Sequence, residues 1–284
     1  DIGHGPFSHA MEHSIVEGVS HEFISLQFMQ ELNERFNGSL TEAISIFTGN
    51  HEKKFLNQLV SSQLEMDRLD YLKRDSFYTG VAEGNTNAER LITMLNVVNG
   101  SLVIEEKGIY SVEKFLMARR FMYWQVYLHK TAVVAERLLI SILKRARFLI
   151  EKGETLNSST PLHYFLTHHI DINNFNGDTL IKFAKLDDID ILAALKEWQY
   201  SNDFVLSSLC AMIINRKLLH IKVKKEPISE TKFLMQLNKV KAEYNITDEE
   251  ASYFVFKGEL RNKAYDRQHQ TINILRKNGK ITDV

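Results

Sequence analysis

Residues 112–152 carry one long apolar pattern of helical character, with no Gly or Pro until Gly153 closes it. A stretch of that kind commits the chain to a helical architecture. Shorter helices are predicted around it. Phe23, Leu26, Met29 and Leu32 recur on one helical face behind Ser20, a suitable N-cap, and residues 40–47 and 53–64 read as two more helices broken near Gly49-Asn50. After a polar, Ser/Thr-rich loop at 153–161, further helices are expected around residues 162–169, 179–183, 189–200 and 204–219. Residues 91–98 fit a strand or a short helix, and Leu102-Val103-Ile104 with Gly108-Ile109-Tyr110 predicts a small hairpin around residues 105–107. From His220 the character changes: Ile221-Lys222-Val223-Lys224 alternates with period two, as an edge strand guarded by lysines would, and residues 253–256 and 272–275 are short β-prone runs flanking a helix over 230–244. The expected fold is mainly α, a helical body over residues 1–219 followed by a small C-terminal α+β region over 220–284.

With 284 residues the chain can bury a substantial core, and its formal net charge of −1 leaves no basic excess that would demand a nucleic-acid partner. The single cysteine, Cys210, excludes an intrachain disulfide and fits a reducing, cytoplasmic setting, where it reads as a small buried apolar residue. Neither a signal peptide nor an apolar run long enough to span a bilayer is found.

Chemistry concentrates at the start. Asp1-Ile2-Gly3-His4-Gly5-Pro6-Phe7-Ser8-His9 is followed by Glu12, His13 and His21, and His with Asp is the pairing that binds borderline metals and moves protons near neutral pH. Gly3, Gly5 and Pro6 do not continue a helix comfortably, which places His4 and His9 on a bend that turns imidazoles inward. A second constellation, Ser62-Gln63-Leu64-Glu65-Met66-Asp67-Arg68-Leu69-Asp70-Tyr71-Leu72-Lys73-Arg74-Asp75, puts Asp67, Tyr71 and Arg74 or Asp75 on one helical face. The bland alternative there is an exposed helix with an Asp70–Arg74 ion pair.

Together the two stretches resemble the HD superfamily of metal-dependent phosphohydrolases, closest to its dGTPase-like deoxynucleoside triphosphate triphosphohydrolase branch. In that family a His-Asp pair leads into a loop reading G-H-G-P-F-S-H. The His that would precede Asp1, and an earlier His of the same pattern, are not in this sequence, which also begins without Met. It is therefore expected to be a piece of a longer chain whose upstream helices are missing here. The resemblance implies an HD-type helical domain, and a divalent metal (Mn, Mg, Fe, Ni or Zn) held in part by Asp1 and Asp67. It implies acid–base roles for His4 and His21 with Glu12, where many relatives carry Asp. It also implies phosphate contacts at His9, Arg68, Arg119 and Lys130, and sugar or base contacts at Tyr71, Asp75 and Tyr127.

Competing structural readings stand beside these. Phe121, Met122 and Trp124 suit a core stripe with a snorkelling basic rim, and the same reading competes for Tyr127 and Lys130. His13, His51, His129, His163, His168, His169, His220 and His269 are read as structural. The cluster Asp187-Asp188-Asp190 is read as a helix cap rather than a metal site. The expected activity is hydrolysis of a deoxynucleoside triphosphate to deoxynucleoside and triphosphate by a homo-oligomer, with no membrane or nucleic-acid partner. An HD-type nucleotidase acting on monophosphates or other phosphoesters, and a non-catalytic nucleotide-binding scaffold, are the alternatives.

Overall fold

The computed structural model describes residues 2–261 and 271–284, so that Asp1 and His269 lie outside the described residues. The chain is 58% helical, as the sequence predicts. In order it runs α1 (Ser8–Glu12), α2 (His21–Arg35), α3 (Thr41–Phe47), α4 (Lys54–Val60), α5 (Met66–Thr79), α6 (Ala88–Thr93), β1 (Leu95–Val98), β2 (Ser101–Glu105) and α7 (Ile109–Met122). A π-helical turn, Tyr123–Tyr127, leads to α8 (Lys130–Glu151), α9 (Thr160–Thr167), α10 (Gly177–Phe183), α11 (Asp188–Trp198), α12 (Phe204–Ile214), α13 (Glu230–Tyr244), α14 (Asp248–Ser252), β3 (Asn273–Leu275) and β4 (Ile281–Asp283). No described helix is long and apolar enough to cross a membrane.

Two compact units divide these elements. The first joins Asp1–Phe28 to Lys130–Glu259, and the second joins Met29–His129 to Leu260–Val284. The sequence boundary expected at 219/220 is not where the units part, because α13 and α14 belong with the first unit while β3 and β4 belong with the second.

In the first unit α8 is the spine. Leu138, Ile142, Leu143 and Ala146 are buried along one stripe, and the helix packs against α12, α9 and α1. Two arginines on α8 fix its neighbours. Arg147, buried, donates to the carbonyls of Ser14, Ile15 and Phe165 at 3.1, 2.7 and 2.8 Å, satisfying backbone that leaves regular structure. Arg145 grips Asp203 through Nε and Nη2 at 3.1 and 2.6 Å, while Asp203 also caps α12 by accepting from the Leu206 amide. Cys210 is fully buried on α12, and burial pushes its thiol up to about 12, an inert core position as expected. Asp187 caps α11 in a reciprocal capping box with Asp190, so that acidic cluster is a helix start, as read from the sequence.

In the second unit Leu72 of α5, with Val112, Phe115 and Met122 of α7, meets Ile104 of β2 and Ile274 of β3. The sheet order is β1-β2-β3-β4, with β2 and β3 parallel and the outer pairs antiparallel.

Several local expectations are corrected. The hairpin is β1–β2, not residues 102–110, because Asn99 and Gly100 both take positive φ (50° and 75°), the geometry that a two-residue hairpin turn requires. Gly108 serves close packing instead, since a Cβ there would lie 2.7 Å from Ile104 Cγ2. Residues 91–98 hold both a helix end and a strand. Residues 221–224 form no strand: Ile221 packs on the core from an irregular segment, and Val223 is exposed with Lys222 and Lys224. Residues 253–256 are likewise irregular; Phe254 leaves α14 to pack among Phe204 and Tyr244, with ring centroids 6.1 and 5.8 Å away. The long helix of residues 112–152 is interrupted by the π-turn.

Candidate functional site

The opening stretch of the first unit folds through close approach rather than through bending alone. The Gly3 amide donates to Ser25 Oγ at 2.9 Å, and a Cβ on Gly3 would sit 2.1 Å from the His21 carbonyl oxygen. A Cβ on Gly5 would lie 2.5 Å from the Phe183 ring. Only glycine lets this loop lie against α2 and α10. Phe7 then starts α1 in the left-handed region (φ 47°), a conformation that costs a non-glycine residue about 1–3 kcal/mol and tends to gather at functional sites.

The consequence is a histidine group. The His4 and His21 rings are 4.2 Å apart, and His9 stands 6.4 and 6.5 Å from them. Burial, then the neighbouring His21 and His9, lowers the His4 pKa, favouring a neutral imidazole that accepts a proton or hydrogen bond. Glu12 Oε1 accepts from the His21 backbone amide at 3.2 Å, and its other oxygen is 3.7 Å from His9 Nδ1. The carboxylate thus anchors the start of α2, and the imidazole it approaches is His9, which is exposed on α1. Glu22 Oε1 lies 3.4 Å from His21 Nε2, a carboxylate that sequence reasoning did not single out.

The other predicted residues, Lys130 excepted, gather in the second unit. Asp67, Tyr71 and Asp75 follow one another on α5 at intervals of four, as the spacing predicts, while Asp70 and Arg74 form an exposed ion pair on another face. The π-turn after α7 brings Tyr127 to α5: its hydroxyl donates to Asp75 Oδ2 at 2.7 Å, and its ring meets Tyr71 edge-on at 6.1 Å. Burial, reinforced by the Asp75 carboxylate, raises the Tyr127 pKa, so the phenol remains a donor. The turn is the kind of helical irregularity that recurs at functional positions.

Beside these lie two guanidiniums. Arg119 is 4% exposed and donates through Nη1 to Gln63 Oε1 at 2.8 Å. Arg68 donates to the Ser62 carbonyl at 2.8 Å and pairs with Glu65 at 2.7 Å. The Nε atoms of both are buried without an acceptor. Burial, then the charge of Arg68, lowers the Arg119 pKa, a measure of how poorly its cation is compensated. Lys130, the first residue of α8, falls in the first unit and is exposed. Sequence reasoning missed Gln63, Glu65 and Tyr123, whose ring the Arg119 guanidinium approaches at 5.8 Å, although the first two stood within the quoted motif.

Residues 86–159 match the family described as the HD associated region. A phosphohydrolase of Bacteroides thetaiotaomicron, known from its crystal structure, is 50% identical; the match covers 100% of this chain and 71% of that one, with a TM-score of 0.95. The chain belongs to the HD superfamily of phosphohydrolases. An uncharacterised Bacillus subtilis protein, YwfO, is 31% identical over 299 residues, covering 100% of this HD protein and 66% of its own length. The Dictyostelium discoideum homologue of the deoxynucleoside triphosphate triphosphohydrolase SAMHD1 is 24% identical over 298 residues, covering 90% of this chain and 57% of its own. The HD protein described here thus spans about two thirds or less of the length of these two curated relatives.

HD phosphohydrolases are generally metal-dependent. Among the described residues of this one, no group of three or more His, Cys, Asp or Glu is placed to hold a metal ion. Asp67 is exposed and bonded to no other described side chain, one carboxylate suited to a divalent cation, while Asp1 lies outside the described residues. The described donors by themselves do not make a metal centre.

Proposed function

We propose that this HD protein hydrolyses deoxynucleoside triphosphates to deoxynucleoside and inorganic triphosphate, with a divalent cation as cofactor and Asp1 and Asp67 among its ligands. The observation that carries the reading is the pair Arg68 and Arg119, two cations with buried, unsatisfied Nε donors, which calls for an anion with several oxygens. A buried donor left unmade costs about 1–3 kcal/mol, and a phosphate oxygen would recover that. Tyr71, Asp75 and Tyr127 in the same unit suit a sugar: Asp75 has one oxygen held by Tyr127 and one to accept from the 3′-hydroxyl of a deoxyribose. The Dictyostelium relative, a homologue of a deoxynucleoside triphosphate triphosphohydrolase, supports this substrate class.

In the proposed reaction water attacks the α-phosphorus and gives up a proton to the neutral His4 imidazole, the bond from phosphorus to the 5′-oxygen breaks, and the His4–His21 pair passes that proton to the departing oxygen. The lowered His4 pKa supports a role as proton carrier in which the neutral form predominates at rest. Glu12, tied to the His21 amide, would position that pair, and His9 and Lys130 would contact phosphate.

Product analysis tests the reading. Inorganic triphosphate is the expected product from a dNTP, with turnover lowered by ~10²- to 10⁴-fold in His4→Ala or His21→Ala. Arg119→Ala and Lys130→Ala should depress dNTP hydrolysis far more than hydrolysis of p-nitrophenyl phosphate. Orthophosphate released from a dNMP, with dNTP left intact, would instead make the protein a nucleotidase.

A further inference from the structure

The two guanidiniums are held by a single short turn, and its two clamps are chemically different. Residues 62–65 precede α5. The Ser62 amide donates to Glu65 Oε2 at 3.1 Å, Glu65 Oε1 takes Arg68 Nη2 at 2.7 Å, and Arg68 Nη1 returns to the Ser62 carbonyl at 2.8 Å. That closed ring uses both terminal nitrogens of Arg68, so Nε is its one buried donor left without an acceptor. Gln63, two residues earlier, holds only Nη1 of Arg119 and is itself buried, leaving Nε of that guanidinium unsatisfied.

A carboxylate therefore clamps one cation and a neutral amide clamps the other. Both clamps remove rotamer freedom, so less order has to be imposed when an anion arrives, which raises affinity. Their electrostatic effects are opposite. Glu65 cancels much of the charge of Arg68 at the place where a phosphate would bind, while Gln63 fixes Arg119 without cancelling anything. Both Glu65 oxygens accept, one from the Ser62 amide and one from Arg68 Nη2, so an amide there removes the charge and keeps one of the two bonds, while Arg68 Nη1 stays on the Ser62 carbonyl.

We infer that Gln63 and Glu65 are positioning residues of a polyphosphate cradle in which Arg119 is the strong anchor and Glu65 sets an upper limit on affinity at Arg68, so that product can leave. The inference rests on reading the guanidinium pair as the anion site. It gives opposite signs for two isosteric exchanges. Glu65→Gln should tighten binding of inorganic triphosphate by ~10-fold and lower KM for a dNTP, with kcat unchanged or reduced as release slows. Gln63→Glu, which puts a carboxylate on Arg119, should weaken binding by ~10-fold or more.

Calorimetric titration of inorganic triphosphate into the full chain and the two variants, with dNTP steady-state kinetics, decides the matter. Thermal unfolding of each variant and a Glu65→Asp control keep a folding defect separate, because a purely structural role would make both exchanges weaken binding together. Opposite signs uphold the inference. Weakening in both, or no change in either while the wild type binds, would overturn it alone. Failure of the wild type to bind triphosphate would overturn the anion-site reading as well.

Discussion

His4 gives the clearest residue-scale consequence. Its pKa is lowered by burial and by His21 and His9, so the unfolded chain takes up a proton more readily than the folded one. The stability that this group contributes is complete above its ordinary value near 6.5 and is lost as pH falls below it toward the lowered folded value. Denaturant unfolding at pH 7.5 and 5.5 should show a smaller acid loss for His4→Gln than for the wild type, and equal losses would remove His4 from the account. The residues of this site were legible by type, because imidazoles, carboxylates and arginines stood at family spacings. Their partners were not. Gln63 meets Arg119 across 56 positions of sequence, and Glu12 reaches the amide of His21 rather than its ring. No local pattern carries either contact.

At the scale of elements, α5 was readable because intervals of four need only helical geometry, whereas the interruption after α7 left no mark: residues 123–127 hold neither Gly nor Pro. A π-turn widens the helix by one residue, and it is this extra residue that sets where Tyr127 points relative to Arg119. Deleting the exposed Gln125 should rotate Tyr127 by ~100° about the helix and break its bond to Asp75. Circular dichroism should find the helix content unchanged, while discrimination between deoxy- and ribonucleotides falls; a deletion variant with intact discrimination would show the turn to be incidental. The β1–β2 turn was legible in principle from Asn99-Gly100, but Gly108 competed for the same role and was needed for packing. The alternation at residues 221–224 misled because Ile221 packs on the core while Val223 is exposed, so the period of two marks no buried face.

At the scale of the whole molecule, the helical class was visible in composition and periodicity, and the interleaving of the two units was not, since parallel pairing of β2 with β3 joins distant segments without any local signature. Ile274 shows how firmly that pairing holds: it is fully buried beside Ile104 in the core of the second unit. Ile274→Ala should lower stability by about 2–5 kcal/mol in urea unfolding, and a loss below about 1 kcal/mol would mean that β3 is dispensable. The same pairing has a consequence for biosynthesis. While the ribosome is still making residues 130–259, β2 stands as a sheet edge with Val103 and Ile104 uncovered, and its partner strand does not yet exist. The segment 29–129 of the second unit is therefore made well before β3, which leaves a nascent chain holding an open β edge while the intervening residues are synthesised and makes that edge the natural place for a chaperone to act.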